Sequence, residues 1–220
     1  MTALTRTDTL RDVMADRTPL TRRGLFRGLG SATVVASCTR TTPGTQTTTP
    51  TEALTPGEVG PGPSRLAFEL NGKATELDVE PRTTLLDALR IDLDTTGPKK
   101  VCDRGACSAC TVLVDGVQRN SCMMLAHDVQ GRSVTTVEGL ANDGHLTVLQ
   151  QKFVEHDALQ CGFCTSGMLM SCASLLQRTA GRGTGVSRDE VEDAIKGNLC
   201  RCGTYPHVID AVVAASKERA

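Results

Sequence analysis

The fold is decided by the stretch Cys102-Asp-Arg-Gly-Ala-Cys107-Ser-Ala-Cys110, with Cys122 following after eleven intervening residues. The C-x4-C-x2-C…C spacing suits a [2Fe–2S] cluster. Three thiolates must converge on an object a few ångströms across, so the chain has to wrap it in a tight loop. Small residues (Gly105, Ala106, Ser108, Ala109) let backbone N–H groups approach the sulfurs and offset their negative charge. Four thiolates also suit Zn²⁺, but zinc sites more often use C-x2-C pairs. A disulfide staple fits poorly, because Cys107 and Cys110 sit close together among small residues, as in a ligand loop.

Outward from this loop the pattern is mixed. Leu66, Phe68 and Leu70 alternate as on a half-buried strand. Asn71-Gly72 is a hairpin signal, and Thr75, Leu77 and Val79 alternate on the return. Thr84 and Asp87 mark a helix start, with Leu85, Leu86 and Leu89 on its apolar face. Val112 and Val114 predict a strand closed by Asp115-Gly116, and Val134 and Val137 a last one. Strands flanking one helix predict a small α+β domain over residues 64–140.

Residues 141–220 show helical spacing instead: Leu149 with Phe153, then Leu169, Cys172, Ala173 and Leu176. A capping box follows at Ser187-Arg-Asp-Glu190, and Pro206 opens a last helix with Val208, Ile209, Val212 and Val213 as its stripe. Four short helices predict a small bundle. Gln160-Cys161-Gly162-Phe163-Cys164 precedes the second helix and Cys200-Arg201-Cys202 precedes the fourth. Two thiolate pairs at helix N-termini can meet in space, where the dipoles favour anionic sulfur. Cys172, on an apolar helix face, reads as a core residue.

The chain has 220 residues, 10 Cys, no Trp, one Tyr and four Phe, and a formal charge of −1. That balance argues against nucleic-acid binding as the main task, and so few aromatics argue against base stacking. No run of 18 uncharged apolar residues is present, so no membrane-spanning helix of ordinary length is expected. His127, His145, His156 and His207 show no ligand spacing, and no nucleophile–base pair or phosphate loop is visible.

The N-terminus reads as an address. Thr-Arg-Arg-Gly-Leu-Phe-Arg at 21–27, ahead of a short weakly apolar run, resembles a twin-arginine export signal. Val35-Ala36-Ser37-Cys38 resembles a lipobox, making Cys38 a candidate lipid anchor. Residues 1–38 are thus read as a signal peptide and the Thr/Pro/Gly-rich residues 39–63 as a flexible linker. The expected location is periplasmic or otherwise extracytoplasmic.

Both cysteine sets, their order, and Thr-Val-Glu-Gly-Leu at 136–140 together resemble the iron–sulfur subunits of the molybdenum hydroxylase (xanthine oxidase) family. With its export signal and linker, the chain is most similar to those of the periplasmic aldehyde oxidoreductases. The resemblance implies a plant-type ferredoxin (β-grasp) domain followed by an all-α four-helix iron–sulfur domain. It implies two [2Fe–2S] clusters, one on Cys102, Cys107, Cys110 and Cys122, the other on Cys161, Cys164, Cys200 and Cys202. Partner subunits would carry molybdenum–pterin cofactor and FAD. Electrons from substrate oxidised at molybdenum would pass through the helical-domain set, then the ferredoxin set, to FAD, with no substrate chemistry on this chain. Gln160 matches the residue that contacts the pterin, and Cys202 the ligand lying nearest it. Two positions depart from the family pattern: Val101 and Ser108 stand where Gly is usual. If position 108 needs a positive φ, Ser costs about 1 kcal/mol. Other readings are a free-standing two-cluster carrier, or a disulfide-stapled exported binding protein.

Overall fold

The computed structural model describes residues 60, 62–141 and 144–218. They belong to one compact unit, Glu52–Ala220. The export signal, Cys38 and nearly all of the 39–63 linker lie outside the described residues.

Five strands form one sheet: β1 (Ser64–Leu70), β2 (Lys73–Val79), β3 (Thr111–Val114), β4 (Val117–Asn120) and β5 (Ser133–Thr135), in the order β2-β1-β5-β3-β4. β1 and β2 are a hairpin in the register Leu66↔Leu77. Asn71 (φ 51°) and Gly72 (φ 78°) both take left-handed backbone at its turn, as a two-residue hairpin with this sequence requires. Asp115-Gly116 repeats the device between β3 and β4. β5 pairs parallel to β1 and antiparallel to β3, so Leu70, Val134 and Val114 stand in one cross-strand row.

Helix α1 (Leu85–Asp87) is capped as expected, with the Thr84 hydroxyl accepting from Asp87 N at 3.1 Å. It then loosens into a π turn over Ala88–Asp92. Leu85, Ala88 and Leu89 pack with Leu66, Val112 and Val134 in the first apolar core.

Four longer helices follow: α2 (Val148–Glu155), α3 (Thr165–Arg178), α4 (Arg188–Ile195) and α5 (Tyr205–Glu218). The Ser187 hydroxyl accepts from Glu190 N at 3.2 Å, completing the expected capping box. Phe153, Met168, Cys172, Val191, Val208 and Val212 lead the second core. Cys172 is wholly buried there, and burial pushes its thiol pKa up. α3 also packs across β3, which is buried along its whole length.

Two details differ from the sequence reading. Val137 is not in the last strand. The chain leaves the ladder at Thr136, whose N–H turns to the Asn71 side chain (2.8 Å), and Val137–Leu140 form a 3₁₀ turn. β4 has no alternation to announce it. Its residues are largely exposed, and it exists because β3 offers a partner edge.

Candidate functional site

The first cysteine loop runs from α1 to β3. Its approach is tied down by Arg90, which donates to the carbonyls of Thr96 and Pro98, both at 2.8 Å. Lys100 bridges Asp87 and Asp103 at 2.8 and 3.3 Å. Within the loop Asp103 (φ 54°), Gly105 (φ 70°) and Ser108 (φ 53°) all take left-handed backbone. These reversals aim successive N–H groups inward, as an anion-binding nest does. The Gly105 N–H donates to Cys122 Sγ at 3.3 Å. Asn120 Nδ2 holds the Gly105 carbonyl at 3.2 Å, and Ser121 Oγ donates to the Cys110 carbonyl at 2.7 Å.

The thiols of this set pair two by two, Cys102 with Cys107 and Cys110 with Cys122. The backbone N–H of Arg104, then Cys107 and the N–H of Ala106, bring Cys102 down to about 7. Burial raises Cys110 to about 11. Cys110 and Cys122 are shielded by Leu86, which is fully buried against them.

The second set is brought together by the helical core, from segments 36 residues apart in sequence (Cys164 to Cys200). Cys164 is the N-cap residue of α3, and Cys200 and Cys202 lead into α5. Pairing is crosswise: Cys161 with Cys202, and Cys164 with Cys200. The Phe163 N–H lowers Cys161. Burial raises Cys164 to about 12. Burial would also raise Cys200, but the Thr204 hydroxyl, 3.2 Å from Sγ, and the Thr204 N–H outweigh it and bring the thiol to about 7. Cys202 is raised, its bond from the Cys161 N–H being outweighed by the Cys161 thiol and by burial. Tyr205 staples this loop. Its hydroxyl accepts from Cys200 N at 2.8 Å and donates to the Asn198 carbonyl at 3.0 Å.

These donor sets fit [2Fe–2S] clusters. All nine described cysteines are free. Four free cysteines in each set meet the donor count of such a cluster, two thiolates to each iron. Directly after Cys164, the Thr165 and Ser166 hydroxyls are buried and have no hydrogen-bond partner among the described residues. Such orphans are costly unless a bound group satisfies them. Both sets open onto one apolar cleft of 690 Å³, lined by Cys102, Cys107, Cys161, Cys164 and Cys200.

Gln160 is exposed beside Cys161, and no hydrogen bond of its amide is found among the described residues. Ser108 does carry the positive φ that Gly tolerates best. Three residues that support the sites were not legible in advance: Asn198, Thr204 and Tyr205. The only signal for Tyr205 was its place beside Pro206 at a helix start.

Two family models match the chain. A 2Fe-2S iron-sulfur cluster binding domain matches residues 68–141, and a [2Fe-2S] binding domain matches residues 136–213. Each matched region contains one cysteine set. The chain is 41% identical over 172 residues to the aldehyde oxidoreductase iron-sulfur-binding subunit PaoA of Escherichia coli O157:H7, covering 70% of this chain and 72% of that one. It is 45% identical to the nicotine 6-hydroxylase small subunit of Paenarthrobacter nicotinovorans, covering 70% and 93%. Among solved structures it superposes on quinoline 2-oxidoreductase from Pseudomonas putida 86 with a TM-score of 0.66 and 43% identity, over 72% of this chain and 99% of the matched one. Paired thiols in a nest-like loop, a second paired set at helix starts, and these likenesses lead to one conclusion: the chain belongs to the iron–sulfur subunits of the molybdenum hydroxylases, and its role is electron transfer within such an enzyme.

Proposed function

We propose that this chain relays electrons from a molybdenum-cofactor subunit to a FAD subunit and holds two [2Fe–2S] clusters for the purpose. The first is held by Cys102, Cys107, Cys110 and Cys122 in a β-grasp, plant-type ferredoxin domain, residues 64–140. The second is held by Cys161, Cys164, Cys200 and Cys202 in a four-helix domain, residues 141–220. The observation carrying this reading is that each matched iron–sulfur region holds one set of four free cysteines, and that both sets line one cleft. When bound, the clusters supply one-electron acceptance and donation.

The residues of the chain do the rest. Backbone N–H groups at Arg104 and Phe163 favour the thiolate forms of Cys102 and Cys161, and the Gly105 N–H holds Cys122 Sγ in place. Leu86 keeps water from Cys110 and Cys122. Cys161 and Cys202 are exposed, as is Phe163. An exposed apolar residue beside exposed ligands suits coverage by a partner, and the molybdenum subunit is the partner assigned here. Gln160, whose amide offers both donor and acceptor, would contact the pterin of the molybdenum cofactor. The likeness to PaoA supports an aldehyde as the substrate class of the assembled enzyme. Residues 1–38 direct twin-arginine export, Cys38 is the candidate lipid anchor, and the enzyme works outside the cytoplasm.

The test is iron, sulfide and zinc content together with EPR of the dithionite-reduced protein. About four iron and four sulfide per chain are expected, with two distinct rhombic signals. FAD and molybdenum chains should copurify. Zinc, or metal-free protein after anaerobic preparation, overturns the reading.

A further inference from the structure

The two cysteine loops touch through a small polar joint. Ser108 lies between Cys107 and Cys110, and its carbonyl accepts three bonds: from Thr111 N at 3.3 Å, Thr111 Oγ1 at 2.8 Å and Asn198 Nδ2 at 3.2 Å. Asn198 is 2% exposed and fully engaged. Its Oδ1 accepts from Ser171 Oγ on α3 at 2.9 Å, and its carbonyl accepts from Tyr205. The next residue, Leu199, donates its N–H to the Cys107 carbonyl at 3.1 Å. One residue beyond Leu199 is Cys200.

The other side of the joint is Gly167, three residues after Cys164. A Cβ built there would stand 2.2 Å from the Ser108 carbonyl oxygen and 3.0 Å from Ala109 Cα. Both are backbone atoms, so neither can swing aside. Glycine is present for closeness of approach, inside a helix where it is otherwise unfavourable.

We propose that Ser108, Asn198 and Gly167 are positioning residues that set the separation of the two cysteine sets. The proposal rests on the two-cluster reading above. Each contact lies within three residues of a thiol in both sets, so a shift at the joint moves one loop against the other with little slack. A buried, fully satisfied polar network resists such a shift. Transfer between fixed redox centres falls steeply with separation, so the joint governs the rate of the internal step through the spacing of the two loops rather than through the thiols.

The full chain, purified with its partner subunits and fully reduced, is examined by EPR for the dipolar splitting between its two signals. Freeze-quench measures the transfer between them. Gly167→Ala and Asn198→Ala are compared with wild type and with Glu192→Gln, a change at an exposed residue of α4. Expected are full iron content and both signals in all three variants. The splitting narrows and transfer slows several-fold in Gly167→Ala and Asn198→Ala, and neither changes in Glu192→Gln. Unchanged splitting and rate in both joint variants overturns the proposal. So does loss of iron from both, since the residues would then serve retention rather than spacing. Wild-type protein lacking either signal refutes the two-cluster reading itself, and the joint with it.

Discussion

Tyr205→Phe removes one oxygen atom and with it the staple of the second cysteine loop. The hydroxyl accepts from Cys200 N at 2.8 Å and donates to the Asn198 carbonyl at 3.0 Å. Asn198 is buried, while Cys200 is only partly so. Water can therefore replace the Cys200 partner more readily than the Asn198 one. Each lost bond costs about 0.5–1.5 kcal/mol net, giving about 1–3 kcal/mol for the pair. For a folded region of this size each kcal/mol lowers the melting midpoint by about 2–4 °C, so a fall of roughly 2–12 °C is expected. Tyr205 is the only Tyr and the chain has no Trp, so intrinsic fluorescence is lost in the variant. Circular dichroism at a fixed scan rate, with visible absorbance of the clusters, is the assay. EPR on partly bleached samples shows which site fails. The second set should lose its signal first, because the freed loop carries Cys200 and Cys202. A midpoint within about 1 °C of wild type, or earlier loss at the Cys102 loop, would refute the reasoning.

Gln160→Ala should leave iron content and both EPR signals intact while slowing transfer from molybdenum or loosening its cofactor; unchanged turnover and cofactor content would remove the pterin-contact role. Ser108→Gly relieves a left-handed φ of 53° and should stabilise the protein by about 1 kcal/mol, read as a higher denaturant midpoint with unchanged slope. In metal-free protein Cys102 and Cys200 sit near 7, so their alkylation should rise to half-maximum near pH 7. Cys110 and Cys164, at about 11 and 12, should stay unreactive at that pH. For Cys102 and Cys200 the folded value is depressed from 9.0. Their contribution to apo stability is therefore present above pH 9 and lost as pH falls through 7. Mass spectrometry of alkylated peptides across pH 6–9 checks the order of reactivity, and uniform labelling would contradict it.

Local features of this chain were readable from residue order alone because their causes are local. Asn71-Gly72 specifies its turn through backbone conformations few residue pairs accept, and the structure has both at positive φ. Ser187 and Glu190 specify a helix start through two reciprocal bonds three residues apart. Leu66 and Phe68 alternate to the buried side of β1 because a strand has period two. The spacing of Cys102, Cys107 and Cys110 among small residues predicted a tight loop, and the structure turns it through left-handed backbone at Asp103, Gly105 and Ser108.

What the tertiary structure alone decided are the matters that depend on distant partners. β4 carries little apolar pattern and is a strand because β3 presents an open edge. Val137 leaves the sheet because the Asn71 side chain captures the Thr136 N–H. The crosswise pairing of Cys161 with Cys202 and Cys164 with Cys200 follows from how α3 and α5 pack. Gly167 and Asn198 reveal their purpose only beside Ser108, which lies 59 residues before one and 90 before the other in sequence. The residue order determines which thiols and turns exist; packing of the two cores determines which of them meet, because a contact between remote segments is set by the shape of everything folded between them.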